Sequence, residues 1–150
     1  MNKLELAKQE IFNRLKAAKD EIGLKSFKET PTEQGKVEEI PLCNMLYGLD
    51  TIEKRSSRSA SPTRKGAGDK RSCEVILELI AFKKDGGSYP LYKAVRKVVL
   101  ADIFPVKDVN GNPDQETYML EDRTEGPVGY GLPGVDAMIF VIKVMYTDEI

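Results

Sequence analysis

Few residues in this chain have side chains suited to catalysis. Histidine, the usual general base and a common metal ligand, is absent. A serine nucleophile needs a positioned base, and a zinc site needs more ligands than the thiols of Cys43 and Cys73 supply. The remaining candidate nucleophiles are serines that lie among arginines, namely Ser56, Ser57, Ser59 and Ser61. We therefore expect no enzyme activity, no cofactor and no metal site, and we expect both cysteines to be free, buried thiols.

Glycines at three positions match the G-x-G-x-x-G pattern of dinucleotide-binding loops. They are Gly129, Gly131 and Gly134. That function requires a strand before the glycines and a helix after them. Here a predicted strand follows them and Pro133 interrupts the pattern, so it predicts a turning loop instead.

A run of acidic and amide residues resembles the beginning of a calcium-binding loop. Its members are Asp108, Asn110, Asn112, Asp114 and Glu116. The sixth position should be glycine and is Pro113, and the twelfth should be an acid and is Met119. The run therefore predicts a turn in which asparagine side chains bind backbone groups.

The main electrostatic feature is a basic segment inside an acidic chain. Residues 54–71 carry seven basic residues and one acid, leaving 16 basic and 23 acidic residues elsewhere. Three interpretations stay open. The segment is a solvated loop, it contacts nucleic-acid phosphates, or it docks on an acidic protein surface, including a second copy of this chain. No aromatic residue lies in it, so base stacking is not expected.

Two helices are predicted from apolar residues that recur every three or four positions. The first spans residues 2–22, with Asn2 as a cap and Gly23 as its left-handed end. The second begins at Ser88, acting as its cap, and stops before Pro105. Its predicted buried residues are Leu91, Val95, Val98, Val99 and Ile103.

Four strands are predicted, at residues 37–47, 72–82, 116–121 and 135–146. The last is apolar in both alternating registers, which is typical of an interior strand covered on both faces. The first two are expected to pair antiparallel, with 48–71 as an extended, flexible basic hairpin loop. Residues 122–134 are expected to form a Gly- and Pro-rich loop. The order predicts a single α+β domain over residues 1–150, with two helices on one face of a small mixed, mainly antiparallel sheet.

No secretory signal and no membrane-spanning segment is apparent in the sequence. We therefore expect no membrane partner.

The layout resembles the tail terminator proteins of long-tailed bacteriophages. The resemblance rests on the helix LELAKQEIFNRLKAA, on the strand IPLCNMLYG with the Arg/Ser segment EKRSSRSASPTRKGAGDKR after it, and on the strand CEVILELIAF. It continues through the helix YPLYKAVRKVVLADIF and a Gly-rich loop into the strand AMIFVIKVMYTDE. It covers nearly the whole chain as an order of elements.

The resemblance implies a structural virion protein without chemistry. Its α+β subunits would form a hexameric ring that caps the tail tube, ends tube polymerisation and offers a surface to the head-tail connector protein. The chain would then be assembled in the host cytoplasm and end up in the virion tail. Its partners would be further copies of itself, the tail tube protein and the connector, with non-specific contact to DNA passing through the lumen.

Six basic residues are the candidates for contact with the lumen or a partner in such a ring. They are Arg55, Arg58, Arg64, Lys65, Lys70 and Arg71. Two other functions remain open: a different head-to-tail joining or tail completion protein, and a DNA-binding protein that contacts phosphates.

Overall fold

The chain folds into two helices and one main sheet. The computed structural model describes residues 3–54, 68–101, 106–107, 110, 113–114 and 117–149. The helices are α1 (Lys3–Ile22) and α2 (Ser88–Val99), and short 3-10 turns lie at Val37–Glu39 and Lys83–Asp85. The strands are β1 (Ser26–Glu29), β2 (Leu42–Lys54), β3 (Gly68–Phe82), β4 (Val106–Lys107), β5 (Pro113–Asp114), β6 (Tyr118–Gly129) and β7 (Val135–Glu149).

The main sheet has five strands in the order β1-β2-β3-β7-β6. The β1–β2 pair is parallel, and every other neighbouring pair in this sheet is antiparallel. Strands β4 and β5 form a separate antiparallel pair. The predicted α+β class, with a mixed and mainly antiparallel sheet, is confirmed. The apolar strand β7 lies inside the sheet as predicted, between β3 and β6, while β3 occupies the middle.

Both helices pack on one face of this sheet and against each other. The apolar stripe of α1 is buried at Ala7, Ile11, Leu15 and Ala18, and that of α2 at Leu91, Val95 and Val99. All of these side chains except Ala18 share one core with the alternate residues Phe140, Ile142 and Val144 of β7. The predicted helix stripes therefore form the main core.

A second, smaller core lies on the opposite face, at one end of the sheet. It consists of Ile40, Leu42, Ile80, Val135 and Ala137. The loop after β1 covers part of it, since the Gly35 N–H donates a 2.9 Å hydrogen bond to the Tyr130 hydroxyl. A Cβ at Gly35 would collide with the Leu42 side chain. Within the described residues, segments between the strands, and neither α1 nor α2, cover this end of the sheet.

The strands differ in length from the predicted ones. Strand β2 begins at Leu42 and not at Val37, and residues 48–54 and 68–71 continue β2 and β3 where a loop was predicted. Polar residues extend these strands because the two backbones pair, with Thr51 opposite Ser72 and Ile52 opposite Arg71.

Strand β6 runs from Tyr118 to Gly129, although a loop was predicted from residue 122. The prediction was wrong because β7 supplies backbone partners along this stretch whatever its composition. Register shifts between Glu121 and Arg123 and between Glu125 and Val128 absorb the extra residues, including Gly126 and Pro127. The short strand β1 was also missed, since its four residues pair with β2 alone.

Helix α2 is capped from outside the helix. Ser88 was predicted as the cap, but Gly87 occupies that position and Ser88 is the first helical residue. The Ser88 N–H donates a 2.7 Å hydrogen bond to the Asp136 carboxylate of β7.

The predicted left-handed end of α1 at Gly23 is confirmed, with φ of 88°. The predicted cap Asn2, and Ile103 and Pro105 after α2, lie outside the described residues.

Candidate interaction surfaces

The basic candidates divide into two groups. Arg55, Arg58, Arg64 and Lys65 lie outside the described residues. Lys70 and Arg71 lie at the beginning of β3, and because they are neighbours in a strand their side chains leave opposite faces of the sheet. The Lys70 Nζ lies 3.0 Å from the Thr147 hydroxyl of β7.

Arg71 contacts the carboxylate of Asp50 on the neighbouring strand. Its Nε lies 3.4 Å from Asp50 Oδ1, and the Tyr146 hydroxyl donates to the same carboxylate at 2.9 Å. Hydrogen bonding to Asp50 raises the pKa of Arg71. Burial, and then the Asp50 contact, raise the pKa of Tyr146 to about 12. Part of the Arg71 charge is thus compensated within the chain, and its contact with a partner stays a prediction.

The sheet face opposite the helices combines apolar and charged side chains. One row across four strands contains Leu46, Ile76, Val141 and Arg123, and the next contains Asn44, Glu78, Ile139 and Glu125. Asn44 donates a 2.8 Å hydrogen bond to Glu78. Beyond the small second core, this face carries no helix among the described elements.

Arg123 covers part of that second face. It lies on β6, yet its Nη1 reaches Glu74 Oε1 of β3 at 2.9 Å, so the side chain crosses β7. Val141 of β7, directly opposite Arg123, is fully buried. The arginine stem therefore shields apolar surface while its charge stays paired. Asp122 and Glu125 also lie near the guanidinium, at 2.9 and 3.5 Å.

A polar cluster joins α2 to β6 on the helix-covered face. The Tyr92 hydroxyl donates a 2.6 Å hydrogen bond to Glu121 Oε1, and Arg96 Nε lies 2.5 Å from Glu121 Oε2. Burial opposes ionisation of Glu121, but the hydrogen bonds from Tyr92 and Arg96 outweigh it and lower its pKa. Since the Tyr92 ring packs edge-on against Phe140 at 5.4 Å, the cluster fixes α2 over the β6 side of the sheet.

The outward side of α2 is a basic surface that the sequence analysis missed. We call it the basic helix face, and it consists of Tyr89, Lys93, Arg96 and Lys97, all exposed. No acidic residue occurs between Ser88 and Leu100. A charge count along the predicted helix is the signal for this surface, although its three basic residues are fewer than the seven at 54–71.

The segment after β1 forms an acidic surface on the sheet face opposite the helices, where Gln34 and Gly35 bond to Tyr130. Residues 29–39 contain four glutamates and one lysine. We call the exposed residues Glu29, Glu33, Val37 and Glu38 the acidic edge. Glu39 does not belong to the acidic edge, because its carboxylate forms an ion pair with Lys28 of β1. This ion pair holds the segment against that strand.

The described residues contain no group of three or more side chains suited to holding a metal ion. Cys43 and Cys73 are free and buried, as predicted, and burial raises the pKa of both thiols. Of the calcium-like run, Asp108, Asn112 and Glu116 lie outside the described residues. None of the described helices is both long and apolar enough to cross a membrane.

The glycine pattern forms a turn, as predicted. Gly129 ends β6, and Gly131 and Gly134 lie in the turn that leads into β7, with φ of 84° and 71°. Because a strand and not a helix follows, no helix N-terminus is available there to hold a pyrophosphate.

The fold has a likeness among solved structures at low sequence identity. No family model matches the chain, and no curated protein matches it. A chain from the solved structure "Virion of native gene transfer agent (GTA) particle" is 10% identical, with a TM-score of 0.49 and 92% of each chain covered. At this identity and TM-score the likeness supports no conclusion about function, and no family is assigned.

Proposed function

We propose that this chain is a structural virion protein, the tail terminator of a long-tailed bacteriophage. Copies of the chain form a hexameric ring that caps the tail tube, ends tube polymerisation and provides the surface to which the head-tail connector joins. In this role the chain has no enzymatic activity and needs no cofactor. It is assembled in the host cytoplasm and resides in the virion tail.

The observation that supports this proposal best is the arrangement of elements. Helix α1, strands β2 and β3 on either side of the basic segment, helix α2 and the final strand β7 follow in the order that the sequence resemblance implies. Strands β1 and β6 of the main sheet are not part of this series, so the resemblance accounts for both helices and three of the five strands.

The open surfaces are compatible with a subunit that has several protein neighbours. The second sheet face carries half-buried apolar side chains such as Leu46, Ile76 and Ile139. Exposed apolar residues occur on β6 as well, at Leu120 and Val128. Mixed surfaces of this kind are typical of protein interfaces.

The basic segment would face the lumen, the tube or the next subunit in such a ring. Its charge excess suits either phosphate or acidic protein surfaces. Replacing Arg55, Arg58, Arg64, Lys65, Lys70 and Arg71 by Ser or Gln should then weaken ring binding to tubes and tail completion. If this variant assembles tails and infects as the wild type does, the basic segment has no such role.

The function is tested by assembling tails with and without the chain. Electron micrographs of tails made without it should show overlong tubes that do not join heads, and adding the full chain should restore a uniform length. Tubes of normal length that join heads in its absence would show that the chain is not the terminator.

A phosphate-contacting DNA-binding protein is the second candidate, and the basic helix face and segment 54–71 are the observations that favour it. Duplex DNA affinity should then fall steeply as salt rises, because binding releases counterions. Association of copies through apolar area should change much less over the same salt range, so a titration in both assays separates the two functions.

A further inference from the structure

Two oppositely charged surfaces lie on opposite faces of the same sheet. The basic helix face is fixed above β6, on the helix-covered face, by the Tyr92–Glu121–Arg96 cluster. The segment of the acidic edge lies against the other face. Glu39 pairs there with Lys28 of β1, and Gly35 packs on Leu42 of the second core and donates to the Tyr130 hydroxyl.

We infer that the basic helix face of one copy docks on the acidic edge of a second copy. This contact rests on the proposed ring function and names the surfaces through which neighbouring subunits meet. Each copy then offers both halves of the contact, one at each side.

The basic helix face has charges that the described part of the chain leaves available. Lys93 and Lys97 are exposed, and neither forms an ion pair with any described residue. Lys93 lies 5.7 Å from the ring centre of Tyr89, which is half exposed at 50% and offers apolar area beside the charges. Because Arg96 already forms an ion pair with Glu121, Lys93 and Lys97 are the main determinants of the inferred contact.

The acidic edge offers the matching chemistry. Glu33 and Glu38 are exposed, and Val37 between them is 51% exposed. An exposed Val37 beside the Glu38 carboxylate complements the Tyr89 ring beside the Lys93 ammonium group, since charge complementarity selects the partner and apolar area adds affinity. The exposed Lys36 offsets one of the acidic charges of this segment. Glu29 contributes less, because it interacts with Tyr47 of its own chain.

The two surfaces cannot meet within one copy, since the sheet separates them. Because the two surfaces lie on opposite faces of the sheet, a two-fold pair cannot form both contacts at once, so the contact is heterologous and generates a ring where its rotation closes. A self-complementary contact would instead end at a dimer. The placement of the charges therefore favours cyclic assembly over a two-fold pair.

The experiment uses charge reversal on the full chain, with mass measured by light scattering at low salt. The variant Lys93→Glu/Lys97→Glu has two acidic sides, and Glu33→Lys/Glu38→Lys has two basic sides. For each variant alone, the association constant between copies should fall by about tenfold or more. An equal mixture should recover the wild-type mass, because alternating copies restore every contact.

A matched control separates this contact from a general charge effect. Lys16→Glu changes an exposed lysine of α1 by the same charge as Lys93→Glu, and it should leave association unchanged. All substituted side chains are exposed, so circular dichroism should show folded protein throughout.

Three results would overturn the inferred contact: wild-type association in both charge-reversed variants, no recovery in their mixture, or a wild-type chain that stays monomeric. The tube-length assay does not depend on any of these three results, because it tests the terminator function and not the contact. If the variants fail as expected but tubes terminate normally without the chain, the contact stands and the terminator function is wrong.

Discussion

Single side chains at the end of the sheet are linked through one carboxylate. Asp50 accepts a hydrogen bond from Tyr146 at 2.9 Å and lies beside Arg71. Tyr146 is buried, so its neutral form is favoured in the folded protein. Its raised pKa links the ionisation of this phenol to folding.

We expect the phenol of Tyr146 to titrate near pH 12 in the folded protein. Because the folded pKa lies above the ordinary value of about 10, the stabilising contribution is complete below pH 10 and is lost as the pH rises through 12. Ultraviolet absorbance of the phenolate checks this, and Tyr146→Phe should remove one late-titrating group.

Asp50→Asn is the matched control for that titration. Tyr47 also titrates near 12, and burial raises the pKa of Tyr92 as well, so Tyr146→Phe should show one late-titrating phenol fewer than the wild type and not lose them all. With the carboxylate neutralised, the pKa of Tyr146 should move back towards 10 while Tyr47 is unaffected. An identical absorbance curve in all variants would contradict the assignment.

At the scale of elements, α2 depends on strand β7 for its cap. Gly87, with φ of 79°, precedes the helix, and a Cβ there would lie 2.9 Å from the Asp136 carboxylate. The same carboxylate accepts from the first helical N–H and lies at the positive end of the helix dipole. The cap therefore ties the start of the helix to the sheet.

Asp136→Ala should lower the free energy of unfolding by about 0.5–2 kcal/mol, as expected for loss of a helix cap. Asp136→Asn keeps an acceptor and should cost less. Urea denaturation followed by circular dichroism measures both. Equal stability of the alanine variant and the wild type would mean that the hydrogen bond does not stabilise the helix.

At the scale of the whole molecule, the two faces of the sheet are unequally buried. Ile142 of β7 points to the helices and is fully buried, while Ile139 on the opposite face is half-buried. The helices thus supply most of the burial, and the second face retains surface for other contacts.

The same substitution at these two positions should have different effects. Ile142→Ala should cost about 2–5 kcal/mol of unfolding free energy, because it leaves a cavity in the main core. Ile139→Ala should cost clearly less, since part of its side chain already contacts solvent. Chemical denaturation of the two variants provides the comparison, and equal losses would show that the second face is as tightly packed as the first.

Much of this fold was predictable because amphipathic periods are local. The stripes of α1 and α2 and the double alternation of β7 follow from side chains spaced along one segment, and they determine the α+β class. Gly23 and the glycines before β7 likewise mark turns through their own backbone freedom.

The candidate interaction surfaces were predictable in part. Charge counting found the excess at 54–71, and the same count along α2 would have found Lys93, Arg96 and Lys97. That Arg71 pairs with Asp50, or that Arg123 crosses β7 to Glu74, could not be predicted, because each pair joins residues far apart in sequence whose distance depends on strand register.

Residue spacing within single segments identified the amphipathic stretches, and hence the two helices, most of the paired strands and the side of each that is buried. The full length of β6, the existence of β1 and the cap that Asp136 provides for α2 became visible only in the folded chain. Those features depend on backbone hydrogen bonds and carboxylates supplied by a distant segment, and such partners leave no pattern in the residues they hold. The placement of the acidic and basic surfaces on opposite faces of the sheet likewise depends on distant contacts, such as the one between Gly35 and Tyr130.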